Sequence, residues 1–168
     1  IVNPEKNSME NSKIIKLLKS LNQYEFRQFR DYVYSPAFNK KEILIRLFEE
    51  LRKHYPKFES DELSNEPLFR NILPGEKYDY FKLKNAISDL FILAKDFLSF
   101  LGFKKKERFK ELLLMAELRQ RKLDSLFEQA HKAAAHKIES SKVKDEEYVY
   151  HKLDLAIEKI GYLTVQAP

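Results

Sequence analysis

The fold is decided by residues 79–102, which read DYFKLKNAISDLFILAKDFLSFLG. Apolar side chains recur there every three or four residues for about six turns, which is the period of one face of an α-helix. Those side chains are Leu83, Ala86, Ile87, Leu90, Phe91, Ala94, Phe97, Leu98 and Leu101. Asp79 is a good N-cap, and Gly102 stands where a C′ glycine ends many helices. The stretch therefore predicts one long helix that buries a broad apolar face.

Two stretches upstream carry the signature of a helix N-terminus. Residues 21–26 read LNQYEF, in which Asn22 and, three residues later, Glu25 predict a capping box flanked by a hydrophobic staple. Residues 38–43 read FNKKEI and repeat the pattern with Asn39 as the cap. The pattern predicts that one helix begins directly after each asparagine.

Apolar spacing and end signals predict the remaining helices. They lie at about residues 12–20, 23–33, 40–54 and 65–72, and then at about 105–121, 125–139 and 146–163. Asp124 and Asp145 are predicted to cap the last two of them. No stretch shows the strict alternation of a half-buried strand, so the predicted fold class is all-α. We expect an N-terminal multi-helix domain over residues 9–103, followed over residues 104–168 by stacked antiparallel helices resembling a solenoid.

The helix predicted at residues 105–121 is apolar on two sides. One side holds Phe109, Leu112, Leu113 and Ala116, and the other holds Leu114 and Leu118. A helix of this kind is usually packed between two neighbours, as in stacked helical hairpins. The pattern therefore predicts that both sides are covered.

Composition excludes several classes of site. The chain has 168 residues and no cysteine, so disulfides, thiolate catalysis and cysteine-ligated metals are impossible. Its 3 glycines lie far apart, which excludes a glycine-rich phosphate loop. A strained nucleophile turn of the G-x-S-x-G type is also missing from the sequence. We therefore predict that the protein is not an enzyme and holds no cofactor.

Positive charge is concentrated in residues 102–122, and it accounts for the whole net charge of +5. The basic side chains there are Lys104, Lys105, Lys106, Arg108, Lys110, Arg119, Arg121 and Lys122. If one helix runs through them, four of them form a narrow stripe that could contact the phosphates of a nucleic acid. An ordinary solvated helix surface is the alternative, and it is the one that we favour.

Aromatic residues crowd the segment 24–38. The phenylalanines Phe26, Phe29 and Phe38 are expected in the core. The tyrosines Tyr24, Tyr32 and Tyr34 remain, and a tyrosine-rich surface beside arginines is typical of a protein interface. Half-buried tyrosines whose hydroxyls reach water account for the same pattern. Both interpretations stay open.

Glu128 and His131 form an E-x-x-H pair, which has the helical spacing of di-iron ligands. Glu147 and His151 could add ligands from the next predicted helix. The di-iron pattern needs a second E-x-x-H, and the sequence holds only this one. A solvated helix face explains these residues better, so we predict no metal site.

Two parts of the sequence resemble known families. The segments YSPAFNK at residues 34–40, LPGEKYD at 73–79 and LKNAISDL at 83–90 resemble a family of uncharacterised, largely helical proteins from Bacteroidetes. That resemblance covers about residues 9–155 and implies a helical fold and a longer protein, with no activity attached.

The weaker resemblance joins residues 73–90 to the helix–turn–helix part of winged-helix transcriptional activators. It implies a recognition helix over Tyr80–Phe91. The side chains that it implies would face DNA are Tyr80, Lys82, Lys84 and Ser88.

The leading hypothesis is a non-enzymatic helical protein-interaction or scaffold module. Its partner would be another protein or the remainder of a longer chain, because Met9 resembles a natural start and the sequence breaks off abruptly at Pro168. The alternative is a nucleic-acid-binding or transcription-regulator-like protein that uses residues 104–122 or the helix at 79–91. Residues 1–8 hold no apolar signal segment and no apolar run is long enough for a bilayer, so we expect a cytoplasmic protein without a membrane partner.

Overall fold

A computed structural model describes Met9 and residues 12–166, with side chains described to Thr164; the expectations for residues 1–8 and for Pro168 lie outside this range. Over the described residues the chain is all-α, as predicted, and contains no strand. The helices are α1 (Lys13–Ser20), α2 (Gln23–Tyr34), α3 (Glu42–Arg52), α4 (Asn65–Ile72), α5 (Tyr80–Lys104), α6 (Glu107–Gln120), α7 (Asp124–Glu139) and α8 (Glu146–Gln166). No helix among them combines the length and the hydropathy that a bilayer crossing demands.

The described residues divide into two compact units, one ending at Phe100 and the other beginning at Leu101. Aromatic rings form the centre of the first unit. Phe29 of α2 packs edge-on against Phe48 of α3, with the ring centroids 5.4 Å apart, and lies 5.2 Å from Phe97 of α5. All three rings are buried. Tilted and edge-to-face ring pairs add to the gain from burial, so these phenylalanines hold α2 against α3 and α5.

The first capping box is confirmed. The Glu25 backbone N–H donates to Asn22 Oδ1 at 2.9 Å, and the Asn22 backbone N–H donates to Glu25 Oε2 at 3.1 Å. Both orphan donors at the start of α2 are therefore satisfied by side chains only three residues away, which is why the sequence alone predicts this helix start.

The second predicted capping box is wrong. α3 begins at Glu42, and its N-cap residue Lys41 makes no side-chain capping bond. Asn39 is instead buried in the turn after α2, where its amide nitrogen donates to the Val33 carbonyl at 2.9 Å and its Oδ1 accepts from the Lys41 N–H at 2.8 Å. The side chain satisfies backbone groups on both sides of the turn, so it is not available to cap α3.

The prediction that α5 ends before Gly102 is also wrong, because the helix continues to Lys104. A C′ glycine adopts a left-handed conformation, and Gly102 has no positive φ. A glycine inside a helix costs about 1 kcal/mol relative to alanine, which weakens the helix without stopping it. The predicted start is confirmed, since Asp79 Oδ1 accepts from the Lys82 N–H at 3.0 Å.

The second unit is built from α6, α7 and α8, each of which packs against the other two. Its buried side chains are Met115, Phe127, Ala134, Ile138, Leu155 and Tyr162. Asp145 caps α8 as predicted, by accepting from the Tyr148 N–H at 3.1 Å. Asp124 does not cap α7 but is its first residue, and the N-cap position falls on Leu123.

Candidate protein-docking surface

Helix α8 turns its charged side toward α6. Arg108 of α6 reaches Asp154 of α8 with 2.6 Å between Nη2 and the carboxylate, and Arg119 lies 3.6 Å from Glu158. All four side chains are at least two-thirds buried. Pairs that are partly removed from water are screened less than surface pairs, so they fix the orientation of α8 more firmly than exposed ion pairs would.

A histidine also lies at the contact between α8 and α6. His151 Nε2 of α8 lies 3.1 Å from Glu111 Oε2 of α6, and Lys137 Nζ of α7 donates to Glu111 Oε1 at 2.8 Å. The hydrogen bond with Glu111 raises the pKa of Lys137. One carboxylate therefore joins all three helices of the second unit.

The contact between α7 and α8 combines rings with two further ion pairs. Phe127 stacks on Tyr162 with ring centroids 4.1 Å apart. Lys159 donates to Glu128, and this hydrogen bond lowers the pKa of the Glu128 carboxyl. Lys152 Nζ lies 2.7 Å from Glu139 and lowers the pKa of that carboxyl in the same way.

The opposite side of α8 is apolar and faces outward. Its large apolar side chains are Val149 (59% exposed), Tyr150 (47%), Leu153 (53%), Ile157 (55%), Ile160 (60%) and Leu163 (53%). At about 100° per residue they cover an arc of about 140°, centred directly opposite Leu155 and Tyr162. Core-facing helices of globular proteins carry an apolar stripe of this width on their inner side. In α8 that stripe is on the outer side, and we call it the outer face of α8.

An apolar groove of about 420 Å³ runs beside this face, between α7 and α8. Ala135 and Ile138 line it from α7, and Ala156 and Ile160 line it from α8. Ile160 belongs to both the groove and the outer face of α8, so the two form one continuous apolar surface. The geometry suits an elongated apolar element such as a helix better than a small polar molecule.

The structure corrects the predicted burial of α6. Met115 is the fully buried residue of this helix, whereas Leu113 and Leu114 are 54% and 52% exposed. Phe109, which was also expected inside, is half exposed. Leu112 and Leu118 pack only partly against the core of the unit. The prediction that both apolar sides of α6 are covered is therefore wrong. The inner face of α6 holds Met115 together with Arg108 and Arg119, which pair with α8.

The predicted basic stripe does not form along one helix. α5 ends at Lys104 and α6 begins at Glu107, so Lys105 and Lys106 lie in the break between them. Arg108 and Arg119 pair with α8, as described above. Lys110 pairs with Glu107 inside α6. Arg121, the residue directly after α6, pairs with Glu117 of that helix. Lys122 follows the helix in a left-handed conformation with φ of 56°. At least half of the predicted cluster therefore pairs with carboxylates.

The three N-terminal tyrosines do not share one surface. Tyr32 is buried, with its ring stacked on Phe38 at 3.9 Å between centroids, so it does not lie on the surface with the other two. Phe38, expected in the core, is 48% exposed and covers Tyr32 from outside. Tyr24 and Tyr34 are 70% and 48% exposed. Their role as interface residues remains a prediction.

Several residues of the two other candidate sites have protein partners. His131 Nε2 lies 3.2 Å from the Leu155 carbonyl, and Glu128 pairs with Lys159. The described residues hold no group of three or more ligating side chains that could bind a metal. In α5, Lys82 pairs with Glu76, and Lys84 lies over the Tyr80 ring at 6.0 Å. Ser88 is exposed on the same helix, so DNA contact by this group remains a prediction.

Sequence reasoning predicted α8 as a helix but missed its outer face. The signal was present: Val149, Leu153, Ala156, Ile160 and Leu163 follow one another at alternating steps of four and three residues. Periodicity shows that such a helix has an apolar side, but only the tertiary structure shows whether that side is inside. A scan of family models, a search of curated proteins and a search of solved structures each found no match to this chain.

Proposed function

We propose that this protein is a non-enzymatic helical interaction module, and that its docking surface is the outer face of α8 together with the α7–α8 groove. One observation supports this above all: α8 pairs its charged side with α6 and leaves its apolar side exposed. A helix that packed only for its own unit would gain more by the reverse orientation.

The size of the apolar surface supports the same function. The six large side chains of the outer face are each about half exposed, and the groove continues them onto α7. Contiguous apolar patches beyond a few hundred Å² are rare on monomeric proteins and usually mark a site of interaction. Covering this surface with a partner would remove it from water without breaking any ion pair described above.

The test compares three baits in affinity capture from native extract: the unchanged protein, Leu153→Ser with Ile160→Ser, and Leu126→Ser as a matched control. Leu126 is 49% exposed and lies on the other side of α7 from Ala135, at about 100° per residue. Each captured protein is identified and its affinity measured with purified components. The proposal expects at least tenfold weaker binding by the double variant and unchanged binding by the control. Equal affinity for all three baits would overturn it.

The alternative, binding of a nucleic acid, is supported by one observation. Lys104, Lys105 and Lys106 are three consecutive exposed lysines at the C-terminal end of α5. Clustered cations of this kind attract phosphates in a way that depends on salt and not on base sequence. This group of three lysines is smaller than the predicted basic stripe, because the arginines of that stripe pair with carboxylates.

A further inference from the structure

We infer that the occupant of this surface is a second copy of the chain, whose α8 packs antiparallel against the outer face of α8. The inference rests on the proposed function, because it names the partner of the same surface. It is carried by the pattern of the apolar positions, by the charges beside them and by the area that they offer.

The outer face of α8 is self-complementary about a point between Ala156 and Ile157. A second α8 running antiparallel through that point places an uncharged side chain opposite each uncharged side chain. The facing pairs are Val149 with Thr164, Tyr150 with Leu163, Leu153 with Ile160, and Ala156 with Ile157. A two-fold interface requires this property, because one patch has to fit its own copy. The point lies at the middle of Glu146–Gln166, so the two helices overlap along their whole length.

The spacing suits two helices that pack lengthwise. The alternating steps of four and three residues from Val149 to Leu163 are the 3.5-residue repeat of paired helices. Ala156 stands at the centre of the repeat and has the smallest side chain in it. Interaxial distance depends on side-chain size, so an alanine at the crossing point lets the two backbones come close.

The charges beside the face do not oppose a second copy. Lys152 and Lys159 flank the outer face of α8 on the groove side, and two copies would bring these lysines near each other. Each is already paired, Lys152 with Glu139 and Lys159 with Glu128. The pairs reduce the like-charge repulsion that unpaired lysines would cause.

The area fits a reversible dimer. Six large side chains that each expose about half of their surface offer on the order of 100 Å² apiece, and thus on the order of 600 Å² per copy. Standard protein interfaces bury about 800 Å² per partner. Two copies would thus bury about 1,200 Å² in total, which is the lower end of the range for specific interfaces. We therefore expect a reversible dimer whose Kd lies in the micromolar range.

The first experiment is sedimentation equilibrium on the whole chain at about 1 to about 100 µM. The expected mass rises with concentration from 20.1 kDa toward twice that value. Leu153→Glu with Ile160→Glu is expected to stay monomeric at all concentrations, whereas the matched control Leu126→Glu dimerises like the unchanged chain. All these positions are about half exposed, and far-UV circular dichroism checks that the variants keep their helices.

The second experiment tests the antiparallel arrangement by disulfide formation, which the absence of native cysteine makes simple to interpret. Ala156→Cys places the thiols close together across the two-fold axis, so the oxidised protein should become a covalent dimer. Val149→Cys should not cross-link, because antiparallel packing puts the two copies of that position about 20 Å apart at 1.5 Å per residue. Equal cross-linking of both variants would overturn the antiparallel arrangement.

The results separate this inference from the proposed function. Suppose that the unchanged chain stays monomeric at about 100 µM while Leu153→Ser with Ile160→Ser loses an identified partner. This result overturns the inference that the occupant is a second copy, and it leaves the docking surface supported. If the unchanged chain dimerises and Leu153→Glu with Ile160→Glu dimerises equally well, the assignment of the interface to α8 is overturned. If the double variant changes neither self-association nor capture, both proposals fall.

Discussion

Met115 and Leu114 are neighbours on α6, and replacing each by alanine tests where the second unit has its core. Met115 is 0% exposed and belongs to the buried cluster, whereas Leu114 is 52% exposed. Truncating a fully buried Met to alanine costs about 2 to 5 kcal/mol, because contacts are lost and a cavity remains. Truncating a half-exposed Leu should cost about 0.5 kcal/mol or less.

The assay is urea unfolding of the full chain, followed by circular dichroism at 222 nm. With a slope of about 1 to 3 kcal/mol per molar urea, Met115→Ala should lower the midpoint of the second unit by about 0.7 M or more, and Leu114→Ala should lower it by about 0.5 M or less. Tryptophan is missing from the chain, so the far-UV signal of the helices is the appropriate probe. The reasoning is refuted if the two variants lower the midpoint by similar amounts, since Leu114 would then be as well packed as Met115.

Three further outcomes are expected. Tyr32→Ala should lower the free energy of unfolding by about 3 kcal/mol and Tyr24→Ala by about 0.5 kcal/mol or less, as measured by thermal melting, because only the first ring is buried. A hydrogen bond from a lysine of α8 lowers the pKa of the Glu128 carboxyl. The ionised carboxyl therefore stabilises the fold above its unfolded-state pKa, and this stabilisation is lost as pH falls through the lower folded-state pKa. In Glu128→Gln, the urea midpoint should depend less on pH in that acidic range. If the protein binds nucleic acid, its affinity for duplex DNA, measured by fluorescence anisotropy, should fall as the salt concentration rises. In Lys105→Glu with Lys106→Glu, that affinity should depend less on salt. Unchanged binding by this variant would dismiss the alternative.

The helices could be predicted because their signals are local. The capping box at Asn22 and the caps Asp79 and Asp145 involve groups only three residues apart, so no distant contact is needed to form them. Asn39 carries the same signal and fails, because its Oδ1 accepts from the Lys41 N–H while its amide nitrogen donates to the Val33 carbonyl, six residues earlier at the end of α2. The local pattern correctly predicts that the Asn39 side chain bonds backbone groups, but it predicts the wrong ones.

The candidate site could not be predicted in the same way. Hydrophobic spacing shows that α8 is amphipathic, but the rule that places apolar sides inside gives the wrong orientation here. The orientation follows from pairs such as Arg108 with Asp154, which join residues 46 positions apart in the sequence. An arginine and an aspartate at that separation are ordinary surface residues until the fold brings them together.

The ion pairs that hold α8 also prevent it from rolling about its own axis. Half a turn would bury Leu153 and Ile160 in the unit and gain apolar contact, but it would leave Arg108 and Arg119 facing the interior without their carboxylates. An isolated charge in that position is costly, and this penalty opposes the rolled arrangement. Charge pairing on one side of the helix thus keeps the apolar side turned toward the solvent.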